Sequence, residues 1–314
     1  MTDPWLSVLM PIYNGAATLG RTLSSLQGQG AGIEIIAVVQ SGDDGSRALL
    51  QAVPGVRIIE APESTNWMQN TNIALRAARA PLITMLHQDD VWRTGRAAAL
   101  KRAAEKPAGL WVHGAEYIDA ADRVVGHIGP PFGAKARLLE SGEALRHLLV
   151  QNTIALPAAM FRREEALRAG GLDETLWYTA DWDLWLRLAR TGPVAWEPEA
   201  RVAFRIHANS LTVTGSRNAA DFAQQLEIPV ARHLEVLPPS EIEGVARLAQ
   251  LSNALNVALA GAYHGQGKSI GHVLWEILAT GPIGCWRFLR DTQILRRLAP
   301  RLKMKIQMMG RAGR

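Results

Sequence analysis

With 314 residues, 48% of them apolar and 20% charged, the chain can bury one large core plus a smaller unit, and its composition excludes a disordered or low-complexity protein. The net charge of +5 is concentrated: residues 286–314 hold nine Lys or Arg against Asp291 alone, leaving 25 basic and 28 acidic side chains elsewhere, a balance of −3 that argues against a nucleic-acid-binding body. Cys285 is the single cysteine, which excludes an intramolecular disulfide and a cysteine-caged metal centre and fits a reducing compartment.

Met1 to Trp5 carries no basic region and Pro11 interrupts the apolar stretch Leu6–Ile12, so no secretory signal is expected and the cytoplasm is the expected location. The first 115 residues alternate β-like runs with helical patterns, as in a parallel sheet covered by helices. Strands are predicted at Ser7–Tyr13, Glu34–Gln40, Val56–Ala61 and Pro81–His87, with a fifth at Gly109–Ala115. The intervening helices are Ala16–Gln27, Trp67–Arg79 after the candidate caps Ser64, Thr65 and Asn66, and Gly95–Glu105. From about Ser141 the pattern changes, with a Trp-rich helix at Asp181–Arg190 and a strand at Arg201–His207. After Ser216 mostly helix is expected, broken into short pieces by Pro229, Pro238-Pro239 and Gly281-Pro282. The organisation read from this is an α/β unit over residues 1–215 and a helical region over 216–314. The uncharged stretch from Leu248 to Gly267 holds Gln250, Ser252, Asn253, Asn256, His264 and Gln266, so no membrane span is expected there.

A doubly wound sheet binds ligands where loops leave the carboxyl ends of its strands. Here those ends read Tyr13-Asn14-Gly15, then residues 40–46 (Gln-Ser-Gly-Asp-Asp-Gly-Ser), then His87-Gln88-Asp89-Asp90. Adjacent carboxylates after a buried strand suit a hard cation such as Mg²⁺ or Mn²⁺, which takes one or two protein carboxylates and leaves its remaining positions to diphosphate oxygens and water. The same Asp-Asp pair can also be a solvated turn capping a helix at Val91. His87 can be a strand-end histidine or a Mn²⁺ ligand.

Taken in order, these motifs resemble family 2 glycosyltransferases with the GT-A fold, a Rossmann-like doubly wound mixed α/β sheet, over roughly Leu6 to Thr212. The resemblance rests on Ser7 to Gly15, on Asn66-Trp67 with Asn70 and Asn72, and on Leu86 to Asp90, where His87 stands in place of the first Asp of the usual metal motif. It continues through residues 170–174 (Gly-Gly-Leu-Asp-Glu), residues 179–188 (Thr-Ala-Asp-Trp-Asp-Leu-Trp-Leu-Arg-Leu), Arg205-Ile206-His207 and Ser210-Leu211-Thr212. It implies an inverting transfer of sugar from a nucleoside-diphosphate donor, UDP- or dTDP-linked, to a hydroxyl of a glycan or lipid-linked saccharide, assisted by Mn²⁺ or Mg²⁺. Asp89 becomes the direct metal ligand, with His87 as a second candidate, and Asp181 the general base. Donor contacts fall on Pro11, Tyr13, Asn14, Ser41, Asn72, Gln88, Asp90, Arg205 and His207. Two departures stand out: Ala180 where the family has Glu, and Ser41 where it commonly has Asp, with Gln40 or Asp43 available to compensate. On local pattern alone Asp181 can equally be a helix cap, and Arg205 and His207 part of a surface strand.

The tail mixes Trp286, Phe288, Leu289, Ile294, Leu295 and Leu298 with arginines at near-helical spacing. An anionic membrane surface suits that pattern, and so does packing on the catalytic unit with the basic face solvated. Two other functional readings share some of these features. A sugar nucleotidyltransferase opens with a Gly-rich triphosphate loop where this chain has Pro-Ile-Tyr-Asn-Gly, and a carbohydrate- or nucleotide-binding relative without turnover fits the departures at Ser41 and Ala180.

Overall fold

A computed structural model describes residues 3–42, 44–207, 214–265 and 270–300. Its first unit is parallel: β1 (Leu6–Ile12), β2 (Ile33–Val39), β3 (Val56–Glu60) and β4 (Leu82–Met85) lie in the order β3-β2-β1-β4. The crossovers are α1 (Ala16–Leu26), α2 (Ser46–Gln51) and α3 (Trp67–Ala77). β1 is buried along its whole length, which is why it reads as a continuous apolar run rather than an alternation. Pro11 is tolerated in this central strand because the β1–β4 ladder ends at Leu9↔Met85, two residues earlier on the same side, so no ladder bond is lost there. Of the candidate caps, Asn66 is the one used, its side chain accepting from the Gln69 amide at 2.9 Å.

Beyond β4 the sheet becomes mixed. β9 (Ala159–Arg162) pairs antiparallel with both β4 and β6 (Leu110–Ile118), and β10 (Val194–Arg205) follows parallel to β6, with β5 (Val91–Trp92) at the far edge. β7 (Val124–Ile128) adds to β6 and β8 (Arg137–Leu139) to β10. The fold is thus the expected doubly wound α/β sheet. β10 begins seven residues before the expected strand at Arg201, because register shifts between Glu197 and Ala203 absorb the Glu-Pro-Glu interruption that hides it in the sequence.

Helices α4 (Arg96–Ala103), α5 (Ser141–Leu148), α6 (Arg163–Arg168) and α7 (Ala180–Arg190) cover the sheet. The C-terminal region forms α8 (Ala219–His233), α9 (Pro239–Tyr263), α10 (Ile270–Ala279) and α11 (Gly281–Thr292). The expected break at Pro229 does not occur: α8 runs through it. Proline cannot donate to the carbonyl four residues back, and that carbonyl, Gln225 O, instead accepts from the Thr179 hydroxyl at 2.9 Å. Pro239 likewise opens a 25-residue helix rather than ending a short one, since proline fits the first helical turn. Leu226, Val230, Leu237, Val245 and Ala249 join the same core as Leu9, Ile83 and Trp185, so the first C-terminal helices share the interior of the α/β unit. A smaller cluster of Leu251, Leu255, Val273, Ile277, Phe288 and Ile294 holds α10 and α11 to α9. Among the described residues, no helix is long and apolar enough to cross a membrane.

Candidate active site

The loops after β1, β2 and β4 meet at the carboxyl edge of the parallel unit. Gln88 ties two of them together: its Nε2 donates to Tyr13 O at 2.7 Å and its Oε1 accepts from Tyr13 N at 2.8 Å. A Cβ on Gly15 would press on the end of that side chain, so glycine suits the close approach of the two loops. The β2 loop is fastened from the other side. Asp44 accepts from Ala16 N at 2.8 Å and Ser46 N at 3.0 Å, and Ser46 Oγ accepts from Gly15 N at 3.0 Å. These bonds hold the Asp44 carboxyl below its usual range, first through Ser46 and then through Ala16. Tyr13 is thereby left 52% exposed, beside exposed Asn14 and Ser41, while Pro11 is buried in β1 beneath them. Asp43 lies outside the described residues.

The next loop divides the labour of its residues. Asp89 Oδ2 meets His207 Nε2 at 3.1 Å, and both side chains keep partial access to solvent. Burial opposes ionisation of Asp89, but the His207 bond and the neighbouring His87 and His207 rings hold its carboxyl below the usual range. Asp90 is 1% exposed and its Oδ1 accepts from Arg205 N at 2.9 Å, while Oδ2 has no partner. Burial, then the adjacent Asp89 charge, raises its pKa well above the ordinary value. His87 packs edge-on against Trp67, ring centroids 5.1 Å apart, with Nε2 buried and unpartnered; burial lowers its pKa and Asp89 offsets part of that. The imidazole that meets Asp89 is therefore that of His207, a residue expected at the diphosphate, rather than His87. Among the described residues, no group of three His, Cys, Asp or Glu is placed to hold a metal. A carboxylate with one imidazole still fits a cation that takes most of its oxygens from a diphosphate and water.

Three expected donor contacts take other roles. Arg205 is 4% exposed, and its guanidinium donates to Asp89 O at 2.8 Å and Asp119 O at 2.6 Å and pairs with the Asp122 carboxylate, so no face is left for a diphosphate. Asn72 bonds Leu172 N and O and the Glu174 carboxylate at 2.8–2.9 Å, which fixes the turn at Gly170-Gly171 instead of facing a ligand. Gln88, with both ends of its amide on Tyr13, positions the first loop. The corrections share a cause: a polar side chain takes the backbone partners the fold brings within reach, buried ones for Asn72 and Arg205 and exposed ones for Gln88, and these come from segments about 70–120 residues away that no local pattern reveals.

The second carboxylate centre lies at the start of α7. Asp181 Oδ1 accepts from Trp182 N at 2.8 Å and Oδ2 from Asn152 Nδ2 at 3.1 Å. Burial outweighs both bonds and pushes the carboxyl up to about 6, although the residue keeps some contact with solvent. The neighbouring Asp183 is 1% exposed and locked by Arg187 and His233 at 2.8 and 3.0 Å. Of the two, Asp181 alone has room to exchange a proton. The start of α7 is pinned by Thr179 through the carbonyl that Pro229 frees. Trp67 spans the gap between the two centres, its ring on His87 and its Nε1 donating to Trp177 O at 3.4 Å. Asn152 lies outside every motif of the sequence, and Asp44, Ser46 and Thr179 fall within motifs without being singled out. Asp44, two residues before a helix start, carries the local signal of a capping acid, and Thr179 stands at the N-cap of α7.

The sequence profile described as "Glycosyl transferase family 2" matches residues 7–167. The chain belongs to that family. Its relatives include an uncharacterised protein of Mycobacterium tuberculosis, 28% identical over 275 residues covering 82% of this chain and 86% of the relative. An uncharacterised glycosyltransferase of Rickettsia prowazekii is 24% identical over 227 residues, 70% of each chain. Among solved structures, S. aureus TarS in complex with UDP-GlcNAc superposes with a TM-score of 0.66 at 13% identity, covering 91% of this chain and 81% of that one. The mannosyltransferase PcManGT from Pyrobaculum calidifontis, in complex with GDP-Man and Mn²⁺, gives 0.57 at 17% identity, covering 96% and 87%. At those identities the likeness shows a shared fold.

Proposed function

We propose that this family 2 glycosyltransferase inverts configuration in a single displacement, moving a sugar from a nucleoside diphosphate, UDP or dTDP, to a hydroxyl of a glycan or lipid-linked saccharide. The observation that carries the reading is the pair of unlike carboxylates, Asp89 kept ionised beside His207 and Asp181 raised to about 6. Groups whose environments push their pKa values apart mark acid–base assignments. Asp181 accepts the acceptor hydroxyl proton as that oxygen bonds to the anomeric carbon; the bond from carbon to diphosphate oxygen breaks, and the electron pair leaves with the nucleotide. A carboxyl titrating near 6 is largely ionised at neutral pH yet basic enough to share a proton in the transition state.

Asp89 and His207 would hold a Mn²⁺ or Mg²⁺ ion, which supplies neutralisation of charge on the departing diphosphate. Tyr13, Asn14 and Ser41, exposed on the rim that Gln88, Asp44 and Ser46 hold in shape, are the surfaces offered to the nucleotide. Asp90 and Arg205 act beneath them, setting the main chain of residues 89–90. We place the enzyme in the cytoplasm, with residues 1–215 as the donor-binding and catalytic part and 216–314 as the helical extension.

The deciding experiment is calorimetric titration of UDP, dTDP and GDP into wild-type protein and Asp89→Ala, with and without Mn²⁺. Metal-dependent binding of one nucleotide to wild type alone is expected, and donor turnover by the same protein separates an enzyme from a binding relative. If none of the three nucleotides binds wild type under any condition, the donor site is wrong.

A further inference from the structure

The outer faces of α10 and α11 are apolar and uncovered. Val273, Ile277 and Phe288 turn inward to the small cluster with Leu251 and Leu255. On the other side Leu274, Trp275, Leu278, Ile283, Trp286 and Leu289 stand 46–70% exposed. Their spacing of three and four residues puts them on one face of each helix, and a patch of large side chains of this kind marks an interaction surface.

Charge identifies the occupant. Arg287 is exposed next to Trp286, Arg296 is exposed next to the equally exposed Leu295, and Arg290 stacks over Trp286 at 4.8 Å. The only acidic residue after Glu276, Asp291, is 4% exposed, bonded to His147 at 2.8 Å and paired with Arg290. Glu276 itself lies 3.6 Å from His272. A face of indole, aliphatic and guanidinium groups complements an anionic lipid surface, where tryptophan seats at the headgroup boundary. A second copy would bring like charge against like. We infer that α10 and α11 dock this protein onto an anionic bilayer.

The docking face is tied to the acceptor side of the site. Asp291 anchors α11 to His147 of α5, and Arg297 bonds Asn256, which bonds Gln151 at 2.8 Å, next to the Asn152 that holds Asp181. Docking stands independently of the transfer reaction; combined with the proposed function it selects a lipid-linked acceptor.

The test is flotation of the full chain with vesicles of phosphatidylcholine and of phosphatidylcholine mixed with phosphatidylglycerol, alongside light scattering and the nucleotide titration above. Wild type is expected to float with the anionic vesicles and not the neutral ones. Trp275→Ser with Trp286→Ser, and Arg287→Glu with Arg296→Glu, should each weaken that binding at least about tenfold while nucleotide binding is unchanged. Because all four residues are exposed, the fold should survive. Wild type left unbound by anionic vesicles overturns docking, as does either double variant binding like wild type. A lipid-free dimer that the tryptophan changes dissociate would assign the face to a second copy instead. Vesicle binding without binding of any nucleotide would leave docking in place and remove the transferase reading.

Discussion

Replacing Asp181 by Asn should make the protein more stable and far less active at the same time. Burial lifts the carboxyl from an ordinary 3.8 to about 6, so keeping it ionised costs the folded state at most about 3 kcal/mol. The sign follows from proton binding. The folded chain holds this proton more tightly than the unfolded one, so the wild type loses stability as pH rises through the window from about 4 to about 6 and stays at the lower level above it. Asparagine has nothing to titrate, though its single oxygen can accept from only one of the two donors, Trp182 N or Asn152 Nδ2, which brings the gain below that upper bound. Urea unfolding should therefore show Asp181→Asn more stable than wild type by about 1–3 kcal/mol near pH 8, with the gap closing near pH 4. Turnover should fall by about 10²–10⁴, the usual contribution of a general base. A variant no more stable than wild type at high pH, or one equally stabilised at both ends, would refute the burial argument. One that retains most of its turnover would refute the role of base.

Asn152→Ala removes the donor that holds Asp181 down, so the acid limb of the turnover profile should move above about 6 without a matching change in nucleotide affinity; a fixed limb means Asn152 does not act through Asp181. Arg205→Ala strands two carbonyls and leaves the Asp122 carboxylate to Arg21 alone, and urea midpoints should report a loss of roughly 3 kcal/mol. If Arg205 instead served a diphosphate, stability would hold and only donor binding would suffer. Thr179→Val leaves Gln225 O without its donor and should cost about 1–2 kcal/mol, whereas in a Pro229→Ala background the restored helical amide should absorb most of that loss; equal losses in the two backgrounds would contradict the exchange.

Much of the frame was legible locally. Burial on both faces of β1 writes a continuous apolar run, the Asn66 cap precedes α3 with its Gln69 partner, and the strand before His87 ends in polar text because ligand loops leave the sheet there. Asp89 and Asp181 stand out as candidates for the same reason, since each sits at the boundary of an element whose periodicity is visible. The short strand β9 was not, because four residues set between β4 and β6 carry no period of their own.

What only the tertiary structure decided is the division of polar residues between ligand and scaffold. Asn72, Gln88 and Arg205 have side chains that suit a nucleotide, and in the fold each meets a remote backbone segment first. His207 comes to Asp89 from 118 residues away, and Thr179 takes up a carbonyl released by a proline 50 residues later. The sequence by itself determined the sheet, the loops and the two acidic centres, since these follow from hydrophobic period and capping chemistry that neighbours along the chain enforce. Which buried donor answers which acceptor depends on the path of the chain through space, and that information is absent from any local window.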